Sequence, residues 1–161
     1  MQIQSTRFGT IEIRDDAVLT FQEGLPGLQG ERWALVAKDE ESPFFWLHSV
    51  DHAEVAVPVT SPWLFFSDYE VRIPEEDAKR LGLTDAADAY IVCVVRATEE
   101  LADFSINLAG PLVINTGART GRQVLNDLAG YSVRHPLFSE VELNQVQPVK
   151  SSVPVAAAIR R

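Results

Sequence analysis

Short apolar stretches alternate with polar positions along the first third of the chain and are parted by turn residues. Ile11 and Ile13 flank Glu12 in the period-2 pattern of a half-buried strand, and QIQSTRF before it and AVLTF after it are further short strands, set off by Gly9-Thr10 and Asp15-Asp16. In QEGLPGLQG, Gly24, Gly27 and Gly30 surround Pro26, a composition that makes tight turns at positive φ, while Leu25 and Leu28 fold the loop onto a core. Strands are then expected at RWALVAK and FFWLHSV, on either side of the acidic turn DEESP, and at EVAVPVT, which leads into SPWLFF. Pro58 confines its strand to an edge, a bulge or a bend. DYEVRI reads as another strand, and the β-branched run DAYIVCVVRAT as a central one, followed by DFSINLA, PLVIN and GRQVLN.

One segment has helical punctuation. IPEEDAKRLGL places Pro74 at the first helical position, Glu75, Glu76 and Asp77 at the positive end of the helix dipole, Lys79 and Arg80 in the last turn, and Gly82 as the stop. A helix this short is stable only when docked. The pattern as a whole predicts a mainly β fold: a single small antiparallel β-barrel-like domain with one or two short helices, over residues 1–138. After Phe138 the aromatics cease, two prolines appear and periodicity fades, so 139–161 is expected to be a flexible C-terminal tail, with VELNQVQ as a candidate edge strand and AAAIRR as a candidate helical turn.

Composition narrows the function. The 161 residues are 46% hydrophobic and carry a formal net charge of -9, which argues against direct binding of nucleic acid phosphates. Residues 1–103 hold 20 acids against 8 Lys and Arg, and the remainder 3 against 6, so the acidic potential sits in the first part and suits a basic protein partner. The first 16 residues lack the features of a signal peptide and no apolar run is long enough for a membrane span, so the protein is expected to be soluble and cytoplasmic. One cysteine, Cys93, excludes an internal disulfide framework and, inside YIVCVV, reads as a small buried hydrophobe.

No residue pattern supports catalysis, a cofactor or a metal. His48 and His52 are four apart, yet one falls in a strand and the other in the following turn, so they do not share the helix face that such metal spacing needs. Ser49 and Ser61 sit in no strand-to-helix elbow, and NTGARTGRQ lacks the ending of a phosphate loop, leaving Arg119 and Arg122 at a solvated hairpin tip. Two acidic clusters, Asp39-Glu40-Glu41 and Glu75-Glu76-Asp77, are candidate electrostatic contacts. Seven aromatics between Phe44 and Tyr69 exceed what one strand face buries, which nominates Phe45, Trp63 and Phe66 as apolar anchors for a partner. Gly24, Gly27, Asn107, Pro111, Asn115 and Gln123 read as structural, the amides serving strand corners. A rival reading makes the chain a small-molecule-binding β-barrel, even an enzyme, with Asn107, Asn115 and Gln123 converging in a pocket.

The ordered motifs T-R-F-G-x-I at 6–11, F-Q-E-G-L-P-G-L at 21–28, P-F-F-W-L-H-S-V at 43–50, D-Y-E at 68–70 and N-L-A-G-P-L-V-I-N at 107–115, with Gln123-Val124 and Tyr131 to Leu137, resemble the flagellar assembly factor FliW family over about residues 2–138. Leu28 departs from the family pattern, which favours an aromatic after Pro-Gly. The resemblance implies a cytoplasmic, non-enzymatic β-rich protein that binds two partners. These are flagellin before its export, and the CsrA homodimer, an RNA-binding regulator that blocks flagellin translation. Antagonism of CsrA then couples flagellin synthesis to secretion.

Overall fold

A computed structural model describes residues 1–128, 130–138 and 157–158. The strands are β1 (Gln2–Ser5), β2 (Gly9–Glu12), β3 (Leu19–Thr20), β4 (Arg32–Ala37), β5 (Phe44–Ser49), β6 (Ala56–Thr60), β7 (Ala89–Arg96), β8 (Ser105–Ile106), β9 (Leu112–Asn115), β10 (Thr120–Gln123), β11 (His135–Pro136) and β12 (Ala157–Ala158), and the helix is α1 (Glu75–Leu81). Seven strands close a ring in the order β3–β4–β5–β6–β7–β9–β10 and back to β3. All of its contacts are antiparallel except β10–β3, a single parallel pair of Thr120 with Thr20. The expected small barrel is present, with one parallel join. Pro58 falls where β6 has β5 on one side only, since β7 reaches just Val59 and Thr60.

Strict alternation explains why the central strands are apolar on both faces. On β4, Trp33, Leu35 and Ala37 point into the ring with Phe21, Phe45, Leu47, Val92, Leu112 and Ile114, while Ala34 and Val36 point outward. Three caps cover that outer surface. The β1–β2 hairpin lays Ile3 and Ile11 over Ala34 and Val36, with Trp46 and Phe8 at its margin. Helix α1 seats Leu81 against Ile91, Val113 and Val124. An aromatic cluster of Phe44, Phe65, Phe66, Tyr69, Phe104, Tyr131 and Phe138 covers Cys93, Val95 and Ile106. In FFWL, therefore, Phe45 goes inside, while Phe44 and Trp46 go outside under different caps.

The helix starts one residue later than its sequence implies. Pro74 is the N-cap, with extended backbone at φ −58° and ψ 144°, and Gly82 closes the helix at φ 71°. Its seven residues fall short of the roughly 12 that an isolated helix needs, and burial of Leu81 contributes about 2 kcal/mol to holding it. Gly24 and Gly27 adopt φ 67° and 78°, a region costly for any residue with a Cβ, and the turn between them packs Leu25 and Leu28 on the ring's core. Leu28 thus supplies the apolar contact without a ring.

One expected strand does not form, and the segment before it is a turn. Pro62–Leu64 within SPWLFF is a 3-10 turn, and DYEVRI stays irregular. The expected edge strand VELNQVQ lies outside the described residues, as does most of the expected flexible tail. Within AAAIRR, Ala157 and Ala158 pair with β4 as a strand rather than forming a helical turn.

Candidate partner-binding surface

β8 and β9 run along one edge of β7, with Ile106 opposite Val95 and Leu112 opposite Val92. Five residues, 107–111, must therefore pass opposite Cys93 and Val94, and the chain bulges. Side-chain amides hold the bulge. Asn107 Oδ1 accepts from Gly110 N–H at 2.8 Å, and Gln123 Nε2 donates to Gly110 O at 2.9 Å. A methyl group on Gly110 would sit 2.8 Å from Gln123 Nε2 and 3.0 Å from Asn107 Nδ2. Pro111 O accepts from Val124 N–H at 3.0 Å, tying the corner to β10. Asn115 serves a different joint: its Nδ2 donates to Leu81 O at 2.8 Å, at the end of α1. The three amides are spent on backbone at two separate places and do not converge on a pocket.

The second polar knot explains the irregular course of 68–73. Asn126, only 3% exposed, donates through Nδ2 to Glu70 O at 2.8 Å and to the Tyr69 hydroxyl at 3.2 Å, and accepts from Arg72 N–H at 3.3 Å. Tyr131 OH accepts from Glu70 N–H at 2.9 Å, and its ring lies 4.7 Å from that of Tyr69. Tyr69 OH in turn donates to Leu108 O at 2.6 Å, and Trp63 Nε1 donates to Tyr69 O at 2.8 Å. Side chains thus meet the backbone needs that a neighbouring strand would otherwise meet. Burial drives the Tyr69 hydroxyl well above the usual tyrosine range and pushes the Cys93 thiol beside it up to about 12, so neither ionises near neutrality.

His48 is a buried connector. Its Nδ1 faces Ser49 O at 2.7 Å, an acceptor only, so Nδ1 carries the proton and Nε2 accepts from the Ser5 hydroxyl at 2.8 Å. That pair joins the β1–β2 hairpin to the ring.

The residues nominated for a partner divide by position. Phe45 is 4% exposed in the ring's core, because strand alternation turns it inward, and it presents no surface to a partner. Phe66 is half-buried, with its ring edge-on to His135 at 5.0 Å, and Trp63 is 40% exposed. Asp39, Glu40 and Glu41 form the exposed β4–β5 turn, three residues before Phe44 of the aromatic cluster. The helix acids are engaged within the molecule. Asp77, 17% exposed, accepts from Arg122 Nε at 2.5 Å, Glu76 pairs with Arg80 at 2.9 Å, and Glu75 lies 3.5 Å from Lys79.

Arg122 is consequently not at a solvated tip. It stands in β10 and also reaches Glu23 at 2.7 Å, and its hydrogen bond is the main reason the Glu23 carboxyl lies below the usual range. The two acidic clusters are far apart. Thr20 pairs with both Arg32 and Thr120, which puts α1 and Arg122 toward the start of β4, whereas Asp39–Glu41 follows its end. A six-residue strand of about 3.3 Å per residue separates them by about 20 Å. Nothing in the residue spacing disclosed the Tyr69–Asn126–Tyr131 knot or the Glu23–Arg122–Asp77 chain, because each joins segments dozens of residues apart.

Residues 2–137 match the model of the FliW protein family. The flagellar assembly factor FliW of Magnetococcus marinus is 38% identical over 149 residues, covering 91% of each chain, and that of Desulfitobacterium hafniense is 34% identical over 146 residues, covering 90% of this chain and 96% of the relative. A crystal structure of the flagellar assembly factor FliW superposes with a TM-score of 0.78 at 28% identity, covering 87% of this chain and 99% of that one. The matched span takes in the ring, the hairpin, the helix and both polar knots. On sequence and fold together, the chain belongs to the FliW family of flagellar assembly factors.

Proposed function

We propose that this protein is a cytoplasmic, non-enzymatic factor that binds flagellin before export and, once freed of it, binds the CsrA dimer and relieves the block on flagellin translation. The observation that carries the reading is the Asp39–Glu41 turn: three exposed acids that lead into Phe44 of an aromatic cluster in which Phe66 is half-buried and against whose Tyr69 the 40% exposed Trp63 lies. Acid beside aromatic surface fits a basic protein, since charge steers the encounter and a desolvated ring anchors it. The net charge of -9 keeps the protein itself off RNA.

The test is a titration of a labelled CsrA–RNA complex with this protein. RNA is released as the protein is added, and an unchanged RNA affinity at saturating protein overturns the reading. The surface is mapped by charge reversal. Asp39→Lys/Glu40→Lys/Glu41→Lys slows CsrA association at low salt by about tenfold or more. Glu75→Lys/Glu76→Lys, about 20 Å away, changes it less. Equal association rates for the wild type and both variants at several ionic strengths remove both clusters from the contact.

A further inference from the structure

β4 is covered on both faces, so its edge backbone groups are withdrawn from water, and each one left unmet costs about 1–3 kcal/mol. One edge is lined by β5 from Trp33 to Val36. On the other edge β3 reaches only Arg32 and Trp33, because the chain before it turns away through the 3-10 turn Asp15–Ala17. Phe21 N–H donates to Glu31 O and Val50 N–H to Arg32 O, so odd-numbered residues address the β3 edge and even-numbered ones address β5. Leu35 and Ala37 therefore direct their N–H and C=O groups to the stretch that β3 does not reach.

β12 lies there, parallel to β4, with Ala157 opposite Val36 and Ala158 opposite Ala37. In a parallel ladder the residue opposite Val36 bonds to its two neighbours, which are Leu35 and Ala37. The surrounding sequence, VPVAAAI at 153–159, is apolar, uncharged and rich in small residues. Beside the join a cavity of about 370 Å³ is walled by Leu19, Leu35 and Ile114 and rimmed by Arg14, Asp16 and Arg119. Among the described residues two pair here, and at about 1 kcal/mol net per bond their hold on the edge is weak.

We propose that this edge of β4 is a strand-acceptor site, filled by the chain's own C-terminal segment around Ala157–Ala158, and that an extended apolar segment of small residues from a protein partner takes its place when that strand leaves. A strand from the same chain competes intramolecularly, so it masks the site from weak competitors.

The experiment uses the full chain as wild type, Ala157→Pro and Ala157→Ser. Proline removes the N–H that the ladder requires, and serine keeps it. Amide exchange at Ala37 quickens at least tenfold in A157P and is unchanged in A157S, with Val92 as the internal reference. A fluorescein-labelled peptide of sequence VPVAAAI binds A157P at least tenfold more tightly than wild type. Identical Ala37 exchange in A157P and wild type overturns the proposal, as does peptide binding that is absent from, or equal in, the two proteins. A wild-type dimer that A157P abolishes overturns it too, by assigning the strand to a second copy.

Discussion

The ring and the segment 68–73 satisfy their backbones in opposite ways. In the ring, β4, β5, β6, β7 and β9 bond to one another, and side chains are left to fill volume. In 68–73 the main chain is met by Asn126 and Tyr131, 54 to 61 residues away along the chain. A ladder survives a change of side chain. A backbone held by named side chains does not, so the two regions should fail differently: the ring through volume, the knot through lost polar partners.

The sharpest break of the ring is at Phe21, fully buried, whose ring lies flat against Gly121 of β10. Phe21→Ala is expected to lower stability by about 3–5 kcal/mol in urea unfolding, the usual cost of an emptied aromatic site. Gly121→Ala drives a methyl group into the same ring and costs about 1–3 kcal/mol. The double variant should cost less than the two singles added, because removal of the ring makes room for the methyl. Full additivity would mean that Phe21 and Gly121 do not share the contact.

The matching break of the knot is Asn126→Ala, which strands Glu70 O and Arg72 N–H and costs about 2 kcal/mol. Its signature is local rather than global. Trypsin cleavage after Arg72 should accelerate well beyond cleavage after Arg96 in β7, and alkylation of Cys93, whose thiol is held protonated, should accelerate with it. Equal acceleration at Arg72 and Arg96 would show that knot and ring open as one unit. Tyr131→Phe is milder: it keeps the ring pair with Tyr69, removes one acceptor from Glu70 N–H, and should cost about 1 kcal/mol by the same proteolysis.

This contrast also sets what the residue pattern could reveal. The barrel was legible because IEI, RWALVAK and DAYIVCVV encode period and burial locally, and the helix because Pro74, its acids and Gly82 punctuate it within nine residues. DYEVRI has the same alternation as a strand, yet among the described residues no strand pairs with it, and Asn126 and Tyr131 are invisible at that distance in sequence. Phe45 looked like an anchor because crowding of aromatics shows that some must face outward but not which ones. The register of β5 against β4 and β6 decides that, and it sends Phe45 in. The strand pairing of Ala157 was unreadable for the same reason, since the edge it fills exists only after β3 has turned away.

The smallest effect tests a third device, the ion pairs that tie the glycine loop and α1 to the ring through Glu23, Arg122, Arg80 and Asp77. Glu23 has a folded pKa below its unfolded one, mainly through its hydrogen bond from Arg122. Its stabilising contribution is therefore fully present above the unfolded value and is lost as pH falls through the folded one. Because Glu23 is about half exposed, solvent screens most of that contribution, and the direct reading is the titration itself. In Arg122→Met the carboxyl midpoint of Glu23, followed by carbon NMR, should rise toward the ordinary range, while that of Asp51, held down by Arg32, stays where it is. An unmoved Glu23 midpoint would transfer the hold to Arg80 of α1 and leave β10 without an electrostatic tie to the loop, whose direct side-chain contact with the ring's core is then that of Leu25 and Leu28.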